Sequence, residues 1–265
     1  MKIATWNVER LKHKKQLDQI QGLCNSIKAD ILVLTETDKR LHPKYTFCHE
    51  ATSLIEDKAI PYAVTENRVS LYTNYPVVQL HQTYDPHTAL CAELKTEAGN
   101  LLVYGTIIGI LGNRHPSFME ELHHESDDIR RLSKKGDGIC VCGDFNCSFF
   151  DNYYFTRAGR NDLQNLFQEV ELSLLTGEQA ECIDHIAISR RFASFVKLTI
   201  EEWNEDKQLQ WNLIEEFEMH KKTQLFFKDM NHYYKEHKAL WDNDYNLEGY
   251  KWIDPDNSEE SIYSF

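Results

Sequence analysis

Apolar and polar positions along the first 200 residues switch between the two-residue period of strands and the 3.6-residue period of helices. Residues 2–7, 31–36 and 139–146 read as buried strands. Between the first two, Leu17, Ile20, Leu23 and Ile27 share one helix face. Further strands are expected at 68–73, 77–82, 88–95, 101–108 and 182–188. Asn74-Tyr75-Pro76 and Glu97-Ala98-Gly99-Asn100 read as turns among them. A charged helix is expected over 117–135, and two shorter helical stretches near 152–158 and 162–170. Hairpin-like pairs set between helices predict an α/β fold of two packed mixed sheets flanked by helices, not one parallel sheet.

The pattern changes beyond residue 200, so residues 1–200 read as one domain and 201–265 as a distinct segment. That segment holds Trp203, Trp211, Trp241 and Trp252, with 7 Lys against 16 Asp or Glu, a net of −9 out of the chain's −13. Phe226, Met230, Tyr233, His237 and Leu240 fall on one helix face. Residues 249–253 and 261–265, around the turn Asp254-Pro255-Asp256-Asn257, predict a β-hairpin. The sequence stops inside that last strand, which reads as a truncation. No Gly/Ser- or Pro-rich linker marks the junction.

Composition narrows the possibilities. No apolar run approaches the ~18 residues of a membrane span. The N-terminus lacks the layout of a secretory signal, and seven cysteines set mostly in apolar runs point to reduced thiols in the cytoplasm. Cys140 and Cys142 share a strand face, so with Cys147 they are read as packing and not as a zinc site. The net charge of −13 argues against a protein that coats nucleic acid. Lys12-His13-Lys14-Lys15 and Arg130-Arg131 with Lys134-Lys135 are read as solvated helix faces, as is His123-His124. Nothing points to an obligate protein partner.

Candidate chemistry lies at the strand ends, where ligands gather in sheet proteins. Asn7, Glu36, Asp144 and Asn146 form an all-oxygen set suited to a hard cation, Mg2+ or Mn2+. In phosphoester hydrolysis a cation neutralises phosphoryl oxygens while a base orients water. Glu36 would be the direct metal ligand, with Asn7 holding it or a metal-bound water. Asp144 would orient or deprotonate the water, and Asn146 would donate to the phosphoryl group.

Thr5-Trp6-Asn7, Leu34-Thr35-Glu36-Thr37, the run 69–76, Gly143-Asp144-Phe145-Asn146 and Cys182-Ile183-Asp184-His185-Ile186 together resemble the endonuclease/exonuclease/phosphatase superfamily over about three-quarters of the chain. The resemblance implies a four-layer α/β sandwich with its active site between the edges of two facing sheets. It also implies Mg2+ and a phosphoester substrate, DNA among the options. Asp184 matches the position that usually orients the catalytic histidine, and Tyr104 falls where many members place a phosphate-facing Tyr. The family normally closes on Ser-Asp-His, which this sequence does not contain; Asn204-Glu205-Asp206-Lys207 stands near its expected place.

From about residue 202, Trp203-Asn204-Glu205-Asp206, Met219-His220-Lys221-Lys222, Asp229-Met230-Asn231 and Gly249-Tyr250-Lys251-Trp252-Ile253-Asp254 resemble 1,4-α-glucan (glycogen) branching enzymes. The carboxylates for glucan chemistry lie upstream in that family, in barrel strands absent here, so no branching activity is expected. The join reads as a fusion or an assembly artefact at Glu202-Trp203-Asn204. His185 is the low-ranked substitute base, because strand neighbours point to opposite faces. The leading expectation is a divalent-metal-dependent phosphoesterase of nuclease type, impaired by the lost motif. The alternatives are a non-catalytic metal- or phosphate-binding protein on this fold, and a glucan-related protein acting through the tail.

Overall fold

The computed structural model describes residues 1–11, 17–53, 62–194, 196–200 and 218–237. The chain divides into two compact units, Met1–Thr199 and Ile200–Phe265. In the first unit β1 (Ile3–Asn7), β2 (Ile31–Asp38), β3 (Phe47–Glu50) and β4 (Glu66–Thr73) form a sheet in the order β1-β2-β4-β3. A six-stranded sheet runs β5 (Val77–His81), β6 (Ala89–Thr96), β7 (Gly99–Ile107), β8 (Gly138–Asp144), β10 (Asp184–Ser189) and β9 (Leu172–Leu174). Helices α1 (Leu17–Ser26), α2 (Phe118–Leu132) and α3 (Arg157–Glu169) complete the unit.

The topology follows from the connections. β1 with β2, and β7 with β8, pair in parallel, and each pair is joined through a helix, α1 or α2. Parallel neighbours need such a crossover, whereas hairpins supply the antiparallel pairs. Both sheets are therefore mixed, as predicted.

Strand alternation builds two cores. Val103, Cys140 and Cys142 join Val33, Val69 and Leu71 in one apolar cluster, which draws on both sheets. Their strand neighbours Leu102, Tyr104, Ile139 and Val141 pack instead with Leu122, Ile129 and Leu132 of α2 and with Leu163 and Leu166 of α3. The sheets approach closely at Gly105, where an added Cβ would lie 2.9 Å from Val33 and Val69 methyls. Cys140 and Cys142 thus pack in the apolar interior, and the cysteines are free thiols.

Several expectations shift. Of the helical stretch expected near 152–158, residues 152–156 form a loop: Arg160 Nε donates to Ser148 O (2.7 Å), and Thr156 Oγ1 accepts from Gly159 N (3.2 Å). This cap starts a single helix at Arg157, replacing the two predicted stretches. The short strands β3 and β9 were not anticipated. Arg130 and Arg131 of α2 pair with Asp127, Glu169 and Asp128, so their charge is balanced locally.

In the second unit α4 (Glu218–Glu236) carries Phe226, Met230 and Tyr233, all exposed, and His237 follows it. Leu240, the predicted hairpin and the basic run 12–15 lie outside the described residues. No helix among the described residues is long and apolar enough to cross a membrane.

Candidate active site

Four strand-end side chains meet where the two sheets face each other. Asn7 ends β1 and Glu36 lies near the end of β2; Asp144 ends β8 and stands opposite Asp184, the first residue of β10. Asn7 Nδ2 donates to Asp144 Oδ2 at 3.1 Å, a hydrogen bond from one sheet to the other. Asn7 Oδ1 accepts from Glu9 N (2.8 Å), and Asp144 Oδ1 accepts from Asn146 N (2.8 Å), so both side chains are fixed from two sides.

The backbone is unusual at these positions. Glu36 (φ 48°) and Asn146 (φ 47°) adopt left-handed conformations, which cost on the order of 1 kcal/mol for such residues and cluster at functional sites. Asn146 Nδ2 donates to Ile108 O (3.0 Å) and Gly109 O (3.3 Å), and its own carbonyl accepts from Asn113 Nδ2 (2.8 Å). Its amide donors are thus engaged in bracing the segment after β7, in place of the free donor expected from sequence. Gly143 lets β8 reach this point: its φ is 134°, and an added Cβ would lie 2.1 Å from Thr106 O.

The electrostatics are those of crowded carboxylates. Burial, then the Asp184 charge and the Glu36 charge, hold the Asp144 carboxyl well above its usual range against the Asn146 N–H and the Asn7 amide. Burial and Glu36 push Asp184 up to about 7. Asp184 Oδ1 is buried and has no hydrogen-bond partner among the described residues.

This environment fits a hard cation, because the donors are all oxygen and the local excess of negative charge is what a cation offsets. Among the described residues no three His, Cys, Asp or Glu side chains converge as a metal cage.

Glu36, Asp144 and Asn146 line a pocket of ≈410 Å3. Its remaining wall includes Arg10, Tyr62, Glu66, Asn67 and Arg68, with Ile110, Leu111 and Tyr154. The strand-end pattern missed that wall. Glu66 and Arg68 were legible only as charged residues at the head of an apolar strand, and Arg10 and Tyr62 lie outside any strand.

Two sequence assignments need correction. Tyr104 lies on the opposite face of β7, fully buried against α2, with its hydroxyl donating to Asp128 Oδ2 (3.4 Å). β7 presents Val103 and Ile107 to the space between the sheets, so strand alternation turns Tyr104 away. His185 is fully buried on the far side of β10 from Asp184. Its Nδ1 pairs with Thr176 Oγ1 (2.7 Å) and its Nε2 with Cys147 O (2.9 Å), while Phe145 and Phe149 flank the ring. Burial lowers its pKa to about 4, and it cannot reach the pocket as a substitute base.

Comparison with known proteins supports this picture in two parts. A 64-residue segment, 24% of this chain, is 62% identical to the 1,4-alpha-glucan branching enzyme GlgB of Clostridium perfringens and covers 10% of it. A segment of 80 residues, 30% of the chain, is 46% identical to the enzyme of that name from Francisella tularensis and covers 12% of it. The chain thus spans about a tenth of the length of these curated relatives.

Among solved structures, the 3'-5' exonuclease NExo from Neisseria meningitidis superposes with a TM-score of 0.53 at 20% identity, over 72% of this chain and 87% of that one. An endonuclease/exonuclease/phosphatase from Beutenbergia cavernae gives 0.51 at 13% identity, over 71% of this chain and 64% of that one. These likenesses establish the fold. The model of the Endonuclease/Exonuclease/phosphatase family matches residues 4–234, most of the sequence, and the chain belongs to that family.

Proposed function

We propose that this chain hydrolyses phosphoester bonds with the help of a divalent cation, Mg2+ or Mn2+. The observation that carries the reading is the hydrogen bond from Asn7 to Asp144 across the two sheets, with Asp184 opposite Asp144 in register and its Oδ1 buried without a hydrogen-bond partner among the described residues. Asn7 and Glu36 would hold the cation, which when bound neutralises phosphoryl oxygens and steadies the leaving oxygen.

Asp144 orients the attacking water and takes its proton. The Asn7 and Asn146 hydrogen bonds fix its direction. Asp184 lies beside it in register. Asn146 positions the loop after β7 through its amide. DNA is the first substrate to try, since the related Neisseria structure is described as bound to a product DNA hairpin.

Asp144→Ala is expected to lower kcat/KM roughly 10²–10⁴-fold, the range for losing a positioned proton acceptor. Glu36→Ala is expected to raise the Mg2+ concentration needed for half-maximal rate. Unchanged turnover in both variants would reject the assignment.

A further inference from the structure

Two loops meet at the pocket. The segment after β7 gives it Ile110, Leu111 and Gly112, and the segment after β8 gives it Tyr154. They touch, since a Cβ added to Gly112 would lie 2.8 Å from the Tyr154 hydroxyl. The second loop leaves the pocket at Asn146 and returns to it at Tyr154, so Phe150 and Tyr153 stand beside the pocket without lining it. Both rings face solvent, at 61% and 60% exposed, and Leu111 is 49% exposed. Single exposed apolar residues are ordinary, but a group of them gathered beside a pocket marks a place where a ligand lies.

The loop that carries the rings is braced. Ser148 N donates to Tyr154 O (2.6 Å), which closes residues 148–154 on themselves. Arg160 donates to Ser148 O (2.7 Å) and to Asp151 O. Asp151, the one carboxylate in residues 109–117 and 147–156, accepts from Ser148 Oγ, from Tyr153 N (3.1 Å) and from Glu181 N (2.7 Å). A compact loop whose ends meet is a common functional device, and rings held on it lose little freedom when a ligand arrives. Arg114 in the first loop and Arg157 at the start of α3 add exposed positive charge.

We propose that Phe150 and Tyr153 form a stacking platform for the bases of a nucleic-acid strand whose scissile phosphate lies in the pocket. A small phosphoester is contained by the pocket and does not reach these rings. A strand does, because it carries a flat base on every nucleotide and a backbone of the sign that Arg114 and Arg157 attract. The proposal rests on the phosphoesterase reading and names which part of the substrate lies outside the pocket.

The test reads fluorescence anisotropy of a labelled oligothymidylate with Mg2+, in an Asp144→Ala background that leaves the strand intact. Adding Phe150→Ala or Tyr153→Ala is expected to weaken binding about 5- to 100-fold each, the range for loss of one base–aromatic stack. Phe150→Tyr and Tyr153→Phe keep the rings and should restore it. A strand of the same length without bases should bind weakly and equally to all of these proteins. In proteins that retain Asp144, the ratio of kcat/KM for the oligonucleotide to that for bis(p-nitrophenyl) phosphate should fall by the same factor with each alanine.

Undiminished oligothymidylate affinity in both alanine variants overturns the proposal, as do an equal loss on the strand without bases and an absence of strand binding before the rings are changed. Phosphatidylcholine vesicles captured through these rings, with strand affinity indifferent to them, would overturn it in favour of a lipid surface. Ring-dependent strand binding with no turnover of any phosphoester leaves the platform standing and rejects the hydrolase reading. Turnover of the small diester without ring-dependent strand binding does the reverse.

Discussion

His185 directly follows Asp184, yet the two perform opposite tasks because a strand sends neighbours to opposite faces. Asp184 stands beside Asp144 in register, and His185 locks the far face of β10 to Cys147 and Thr176. Its pKa, lowered to about 4 by burial, is a statement about stability. Above pH 6.5 the ring is neutral whether folded or unfolded, and the term is constant. As pH falls from 6.5 towards 4 the unfolded chain takes a proton that the native ring refuses, so stability drops by about 3 kcal/mol over that window. Denaturant melts should show this slope, and His185→Gln should flatten it; an equal slope in both proteins would remove the assignment. The candidate carboxylates were legible in the sequence because several apolar runs each end on an amide or carboxylate, a signal that no single such residue carries. Tyr104 was misplaced for the converse reason: a tyrosine within a strand carries no mark of its face.

The docking of α2 on β7 turns on Glu125, a carboxyl almost fully buried under Thr106, whose hydroxyl contacts both of its oxygens (2.7 and 2.8 Å). Burial holds Glu125 well above its ordinary pKa, against the Thr106 hydrogen bond. A raised carboxyl stabilises most at low pH, and its contribution falls as pH climbs above the unfolded value of about 4.5. Glu125→Gln is therefore expected to be near neutral at pH 4.5 and stabilising at pH 7, read as a rise in Tm at pH 7 alone. A Tm that falls at pH 7 would show the glutamate to be held charged. Among the elements, long apolar strands and the amphipathic α2 were readable from period alone. β3 and β9 were not, being only four and three residues long, and the 152–158 loop was mistaken for helix because its fold depends on Arg160 reaching back to Ser148. That contact is tertiary and leaves no periodic trace.

Every residue assigned to the site lies within Met1–Thr199, although the family match runs on to residue 234. Removing residues 201–265 is expected to leave phosphoester turnover unchanged; its loss would place part of the catalytic machinery in the tail. The break in composition at residue 200 was visible in the sequence, as were the strand ends that build the cleft. The pocket wall of Arg10, Tyr62 and Arg68 was not, since its members meet only when the turn after β1, β4 and the segment before β4 come together. The central claim is that strand-end oxygens from two sheets form a cation-assisted phosphoesterase. The most direct measurement is turnover of a phosphoester panel, DNA included, by this chain with Mg2+ and with EDTA, beside the Asp144→Ala protein. Hydrolysis that requires Mg2+ and collapses in Asp144→Ala is the predicted result; hydrolysis indifferent to EDTA and to the substitution, or none on any substrate, would contradict it.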